Sequence, residues 1–187
     1  QSNKVIHEKV TFRNRYGIML AADMYIPKNA KGKLAAIAVS GPFGAVKEQS
    51  SGLYAQTLAE RGFLTIAFDP SYTGESGGQP RYVASPDINT EDFSAAVDFL
   101  STRDDVDPER IGILGICGWG GMALNAAAMD TRIKATVTST MYDMSRVNAN
   151  GYFDAMDADQ RYELRRQLNA QRTLDAKNGT YELAGGV

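Results

Sequence analysis

Apolar and polar residues alternate along the first part of the chain, the period of half-buried antiparallel strands. Between Val5 and Pro27 the alternation is broken by Asn14-Arg15-Tyr16-Gly17, a turn sequence separating Val10-Thr11-Phe12 from Ile18-Met19-Leu20, which predicts an opening hairpin. The pattern then changes character. Leu34-Ala35-Ala36-Ile37-Ala38-Val39 is a continuous apolar run, as in a strand covered on both faces, and Gly41-Pro42-Phe43-Gly44 closes it in a loop. Ser50 to Arg61 carries Leu53, Tyr54, Leu58 and Ala59 at helical spacing and stops at Gly62. A strand from Phe63 to Phe68 follows, ending at the turn Asp69-Pro70.

The same unit recurs downstream. After a loop containing Gly74, Gly77, Gly78 and Pro80, Thr90 is positioned to cap a helix from Glu91 to about Thr102, with Phe93, Val97 and Leu100 on one face. Asp107-Pro108 predicts a turn, Arg110 to Gly115 a strand, Met122 to Met129 an alanine-rich helix, and Ile133 to Ser139 one more strand. Strand and helix alternating in this way predict an α/β fold, a mostly parallel twisted sheet built with right-handed crossovers and flanked by helices. From about Tyr142 the pattern departs from this. Asp157 to Asp175 is a long charged helical stretch with only Tyr162, Leu164, Leu168 and Leu174 to bury, and Asn178 to Val187 offers no closing element. Residues 1–142 therefore read as the first part of a sheet core, and 143–187 as the start of an inserted cap segment.

Composition narrows the functional classes. The chain has 187 residues, 43% of them hydrophobic and 22% charged, which suits a packed globular core. A formal net charge of -2 and the absence of any Lys/Arg block argue against nucleic acid or a membrane surface as partner. No apolar run approaches the roughly 18 residues that cross a bilayer. With 1 cysteine and 1 histidine the chain offers neither an internal disulfide nor a usual zinc site, and nothing in it implies a cofactor. Gln1-Ser2-Asn3 has no signal-peptide features and leaves the compartment open.

The chemistry-bearing segment is Gly115-Ile116-Cys117-Gly118-Trp119-Gly120-Gly121, a predicted strand, a sharp glycine-flanked turn and a predicted helix. Those are the parts of a nucleophile elbow, in which the reactive residue sits on strained backbone and its neighbours must be small. A cysteine at this point also meets the N-terminus of a helix, where unpaired amides favour negative charge on sulfur. Taken without context, a lone cysteine is more often a small buried hydrophobe.

In these features the sequence resembles the α/β-hydrolases, and within them the dienelactone-hydrolase-like and X-Pro-peptidase-like branch. The resemblance rests on the Gly-Ile-Cys elbow, the Gly41-Pro42-Phe43-Gly44 loop after an early strand and the loop from Asp69 to Gly78, and it spans roughly Val5 to Tyr142. One departure is Trp119, which stands where the common pattern has a small residue. The resemblance implies hydrolysis of an ester, lactone or similar acyl bond of a small-molecule substrate, with Cys117 as nucleophile. It also implies two backbone donors for the developing oxyanion: Gly118, and a residue of the loop after an early strand. Pro42 has no N–H, which leaves Phe43 or Gly44, with Phe43 the stronger candidate. Trp119, Tyr72 and Tyr142 fall in loops expected on the same sheet edge.

The resemblance implies that histidine and its carboxylate follow the nucleophile in the chain, and no histidine follows Cys117. His7 precedes it within the opening hairpin, and Asp143 is a weak candidate acid. We therefore expect the natural polypeptide to continue past Val187 with its remaining strands, catalytic histidine and acid, that C-terminal remainder being the expected partner of the exposed Ile133–Ser139 edge. Two other readings stay open. A hydrolase-like scaffold without its base would bind rather than catalyse. Gly118-x-Gly120-x-x-Ala123, with Asp143 twenty residues after Ala123, also fits a dinucleotide-binding fingerprint in spacing.

Overall fold

A computed structural model describes residues 2–184. The chain divides at Tyr142/Asp143 into two compact units. In the first, β1 (Val5–Arg13) and β2 (Met19–Pro27) form the expected hairpin, and β3 (Leu34–Ser40), α1 (Ser50–Ala59), β4 (Leu64–Phe68), α2 (Pro86–Ser101), β5 (Val106–Ile116), α3 (Trp119–Met129) and β6 (Ile133–Ser139) follow. The six strands make one sheet in the order β1-β2-β4-β3-β5-β6. Only the β1/β2 and β2/β4 pairings are antiparallel; β4, β3, β5 and β6 run parallel.

Both faces of β3, β4 and the second half of β5 are covered, which is why β3 and β4 are apolar without alternation. On one face α2 and α3 bring Phe93, Val97, Leu100, Trp119, Met122 and Ala126 against Met24, Ala38, Ile66, Phe68 and Ile113. On the other, α1 brings Ala55 and Ala59 against Val39, Ala67, Leu114 and Ile116. From β3 the chain leaves through α1 to β4; from β5 it leaves through α3 to β6, on the opposite face and in the opposite direction along the sheet. The two exits diverge at the carboxyl ends of the adjacent strands β3 and β5, the place where sheets of this type bind ligands.

Two sequence expectations shift. α2 begins at Pro86 rather than Glu91, because Ser85 is the cap, its hydroxyl accepting the Ile88 N–H, and Pro86 opens the first turn. Thr90 is buried inside the helix and accepts a hydrogen bond from Asn125 on α3 at 3.2 Å. Asp107-Pro108 does not end a turn: β5 runs through it, the irregularity being absorbed as a register shift against β3 between Leu34 and Ala36.

The second unit holds α4 (Met144–Asn150), a short 3-10 turn (Tyr152–Asp154) and α5 (Ala158–Asn178). α5 starts with a reciprocal capping box between Asp157 and Gln160 and ends on left-handed Gly179, as a helix that buries little must rely on its ends. Arg146 pairs with Asp154 across the 3-10 turn. No helix among the described residues is long and apolar enough to cross a membrane.

Candidate active site

Cys117 follows β5 directly with a left-handed backbone, φ 57°, a conformation a non-glycine residue keeps only when its surroundings enforce it. The enforcement is specific. Its N–H donates to the Ser139 carbonyl at 2.9 Å, while its own carbonyl accepts the N–H of Gly120 at 3.0 Å and of Tyr142 at 3.2 Å. There is no room for larger neighbours. A Cβ at Gly115 would stand 2.2 Å from the Trp119 carbonyl oxygen, and one at Gly41 2.4 Å from that of Ile116. The loop after β3 thus backs onto the turn after β5, and Cys117 is half-buried between them.

The Gly118 N–H, at the head of α3, and the Phe43 and Gly44 N–H groups, in the loop after β3, donate to no described residue. The Phe43 ring, 48% exposed, meets the buried Trp119 ring edge-on at 5.6 Å, so the two loops also touch through side chains. The Trp119 indole N–H is buried and has no hydrogen-bond partner among the described residues. Of the other aromatics expected at this edge, Tyr142 contributes its backbone N–H to Cys117. Tyr72 packs into its own loop, its ring filling the space that Gly78 leaves.

The weaker candidates resolve into structural roles. His7 Nε2 lies 3.0 Å from Asp23 Oδ1, and its ring stacks on Tyr25, all within the β1/β2 hairpin. β1 is four strand positions from β5, about 19 Å at the usual spacing, beyond the reach of any hydrogen bond to Cys117. Asp143 caps α4, its carboxylate accepting the Arg146 N–H at 2.9 Å. The dinucleotide reading gains nothing from this placement, since its acidic residue caps α4. Its central glycine is moreover closed in by side chains: a Cβ at Gly120 would meet Met141 at 2.7 Å and Thr138 at 3.3 Å.

A charged cluster that the sequence did not suggest lies beneath the β3–α1 loop. The Lys47 side chain, 1% exposed, places Nζ 2.6 Å from Glu48 Oε1, 2.8 Å from Glu75 Oε2 and 3.4 Å from Asp69 Oδ2. Burial works against its charge, but the hydrogen bonds to Glu48 and Glu75 outweigh it and hold its pKa above the ordinary lysine value. Glu75, bonded to Lys47 and then to Lys9, is held down to about 2. No short-range pattern announces this cluster, because Lys47 lies 22 and 28 residues from its partners Asp69 and Glu75.

Comparison with known proteins decides the kinship. The family model described as X-Pro dipeptidyl-peptidase (S15 family) matches residues 16–183. The chain belongs to the S15 peptidase family, within the α/β-hydrolases. It is 70% identical over 180 residues to PA2218, an uncharacterized protein of Pseudomonas aeruginosa, covering 96% of this chain and 48% of that protein. The crystal structure of PA2218 superposes with a TM-score of 0.95, covering 100% of this chain and 60% of that chain. A thiohydrolase of Aspergillus aculeatus, aneE, is 33% identical over 132 residues, 71% of this chain and 41% of its own. The structure of DcsB in complex with its substrate analogue is matched with a TM-score of 0.67 at 31% identity, over 71% of this chain and 45% of that one. The chain spans 48% of PA2218 and 60% of a second curated relative, the uncharacterized Escherichia coli protein YcjY, to which it is 40% identical. The expected α/β-hydrolase fold and the likeness to the X-Pro-peptidase-like branch therefore hold.

Proposed function

We propose that the whole protein hydrolyses an ester or thioester bond of a small molecule through a covalent acyl intermediate on Cys117. The observation that carries this reading is the left-handed Cys117 at the end of β5, backed by Gly115 and Gly41, where a Cβ would run into backbone. That the relatives include thiohydrolases, while S15 is named for a peptidase, supports an acyl-transfer chemistry without fixing the leaving group.

The chemistry follows from the geometry. As a base withdraws the thiol proton, the Cys117 sulfur attacks the substrate carbonyl carbon, and the carbonyl oxygen becomes an oxyanion. Amides aimed at that oxygen stabilise the tetrahedral intermediate more than the ground state, because the charge is present only there. The Gly118 and Phe43 N–H groups fill this role, having no other described acceptor. Collapse of the intermediate expels the alcohol or thiol, protonated by the same base, and leaves a thioester on Cys117. Water, activated by that base, then attacks the thioester and releases the acid and the free enzyme. His7 sits too far across the sheet to be the base, so this reading requires histidine and acid from outside these 187 residues, which span 48% of PA2218. The single general experiment is steady-state kinetics of the full-length protein on a panel of small esters, lactones and thioesters. Cys117→Ala abolishes turnover and Cys117→Ser retains a reduced fraction; undiminished turnover in Cys117→Ala would sink the assignment.

One observation favours a second reading, a binding scaffold without catalysis: among the described residues no histidine approaches Cys117. That reading predicts saturable binding of the same esters by the full-length protein with no turnover.

A further inference from the structure

The β3–α1 loop, residues 41–49, carries the Phe43 amide and is pinned at two points. At its start Gly41 lies against the Ile116 carbonyl and the Trp119 Cβ, so the loop cannot move toward Cys117. At its far end Lys47 is held twice over. Its backbone N–H donates to Asp69 Oδ1 at 2.7 Å, and its ammonium binds Glu48, Glu75 and Asp69. Along the loop the chain makes two successive turns, closed by Ala45 N–H to Pro42 C=O at 3.1 Å and, around Lys47, by Gln49 N–H to Val46 C=O at 3.0 Å. Phe43 is inside the first turn.

The far anchor is itself fixed to the sheet. Asp69, fully buried, accepts the Glu75 N–H on Oδ2 at 2.8 Å, and its own N–H donates to Ala21 C=O on β2 at 2.9 Å. Glu75 is held in turn by Lys9 on β1 at 2.8 Å. The start of α1 rests on the other side of Lys47, since a Cβ at Gly52 would stand 2.5 Å from the Lys47 carbonyl oxygen.

Stability alone does not call for this arrangement. Removing an ammonium and a carboxylate from water is costly, and an apolar pair of similar volume generally serves a core as well or better. What a charged cluster supplies is a fixed direction for each bond. Resting on the proposed role of the Phe43 amide, we infer that Lys47 is a positioning residue: its ion pairs with Asp69 and Glu75 set the height of the β3–α1 loop and hence the aim of the Phe43 N–H at the oxyanion. Displacement of a donor by about an ångström costs on the order of a hundredfold in rate while leaving ground-state binding nearly untouched.

The test uses the full-length protein and the double variant Lys47→Met/Asp69→Asn, which removes both buried charges together and gives up one of the two backbone N–H bonds that Asp69 accepts. The expected result is a kcat reduced about tenfold to a hundredfold, KM within about twofold of wild type, and an unchanged rate of iodoacetamide labelling at Cys117. A residue that served only to hold the fold together would instead alter labelling and KM along with kcat. Glu75→Gln, whose carboxylate is half exposed, keeps the question open to decision should the double variant not fold. It is expected to lower kcat by about threefold at unchanged KM. Wild-type kcat in a folded double variant, or in Glu75→Gln, overturns the positioning role while leaving Cys117 untouched. Turnover surviving Cys117→Ala overturns the nucleophile and the positioning role together.

Discussion

At Cys117 the backbone turns left-handed because three hydrogen bonds leave it no alternative: its N–H is bound to the end of β6, and its carbonyl is bound twice by the segments that follow. The glycines around it are spatial necessities. Gly41→Ala would drive a methyl group into the Ile116 carbonyl and force a side chain onto φ +101°, and is expected to cost about 2–4 kcal/mol of stability, read from denaturant midpoints. A stability within about 0.5 kcal/mol of wild type would mean that the β3–α1 loop does not rest on the turn as described. Glu75 gives a pH signature at the same scale. Its pKa is held at about 2 against an ordinary 4.5, first by Lys47 and then by Lys9, so its ion pairs add stability above the ordinary value, and that contribution is lost as pH falls toward 2. Melting temperatures of wild type and Glu75→Gln should therefore differ most near neutrality and converge in acid. Parallel curves would contradict the pairing.

At the scale of elements, the joints between strands and helices carry the polar chemistry. Asp92 on α2 is buried, and its carboxylate accepts from Ser71 N–H and Oγ, from Asn14 on the β1–β2 turn and from Asn89. Burial raises its pKa, opposed by those four bonds, so it is held as an acceptor at some cost to its charge. Asp92→Ala is expected to lose about 3 kcal/mol and to loosen the β1–β2 turn, detectable as faster amide exchange at Tyr16 and Ile18, whose N–H groups bind Asn14 Oδ1. Exchange unchanged there would place the tie elsewhere. Elements with a strong local period were legible in sequence: the hairpin, the apolar strands, the turn bearing Cys117, the charged α5. The start of α2 is not where its apolar pattern points, because Thr90-Glu91 precedes the densest apolar stretch while the helix is capped by Ser85-Pro86, five residues earlier. The Lys47 cluster left no trace in sequence, since a buried lysine is recognisable only when folding has brought two loops over it. The Phe43 and Gly118 positions were legible as candidates through the resemblance. That both amides lack another acceptor is a fact of three-dimensional structure.

Across the whole molecule, β6 is the last strand in the sheet order, and Val137 on it and Met129 before it are 55% and 69% exposed. An unpaired apolar edge recruits further strands. A polypeptide restricted to these 187 residues is expected to self-associate with rising concentration, and Val137→Lys to reduce that association, as followed by light scattering. A concentration-independent monomer would show that the edge is adequately covered. The central claim, an acyl intermediate on Cys117, is met most directly by intact mass spectrometry of the full-length protein quenched in acid during turnover of an activated small ester. The account predicts one added acyl group, mapped to the peptide containing Cys117 and absent from Cys117→Ala. Turnover with no adduct at Cys117, or an adduct at another residue, would contradict it.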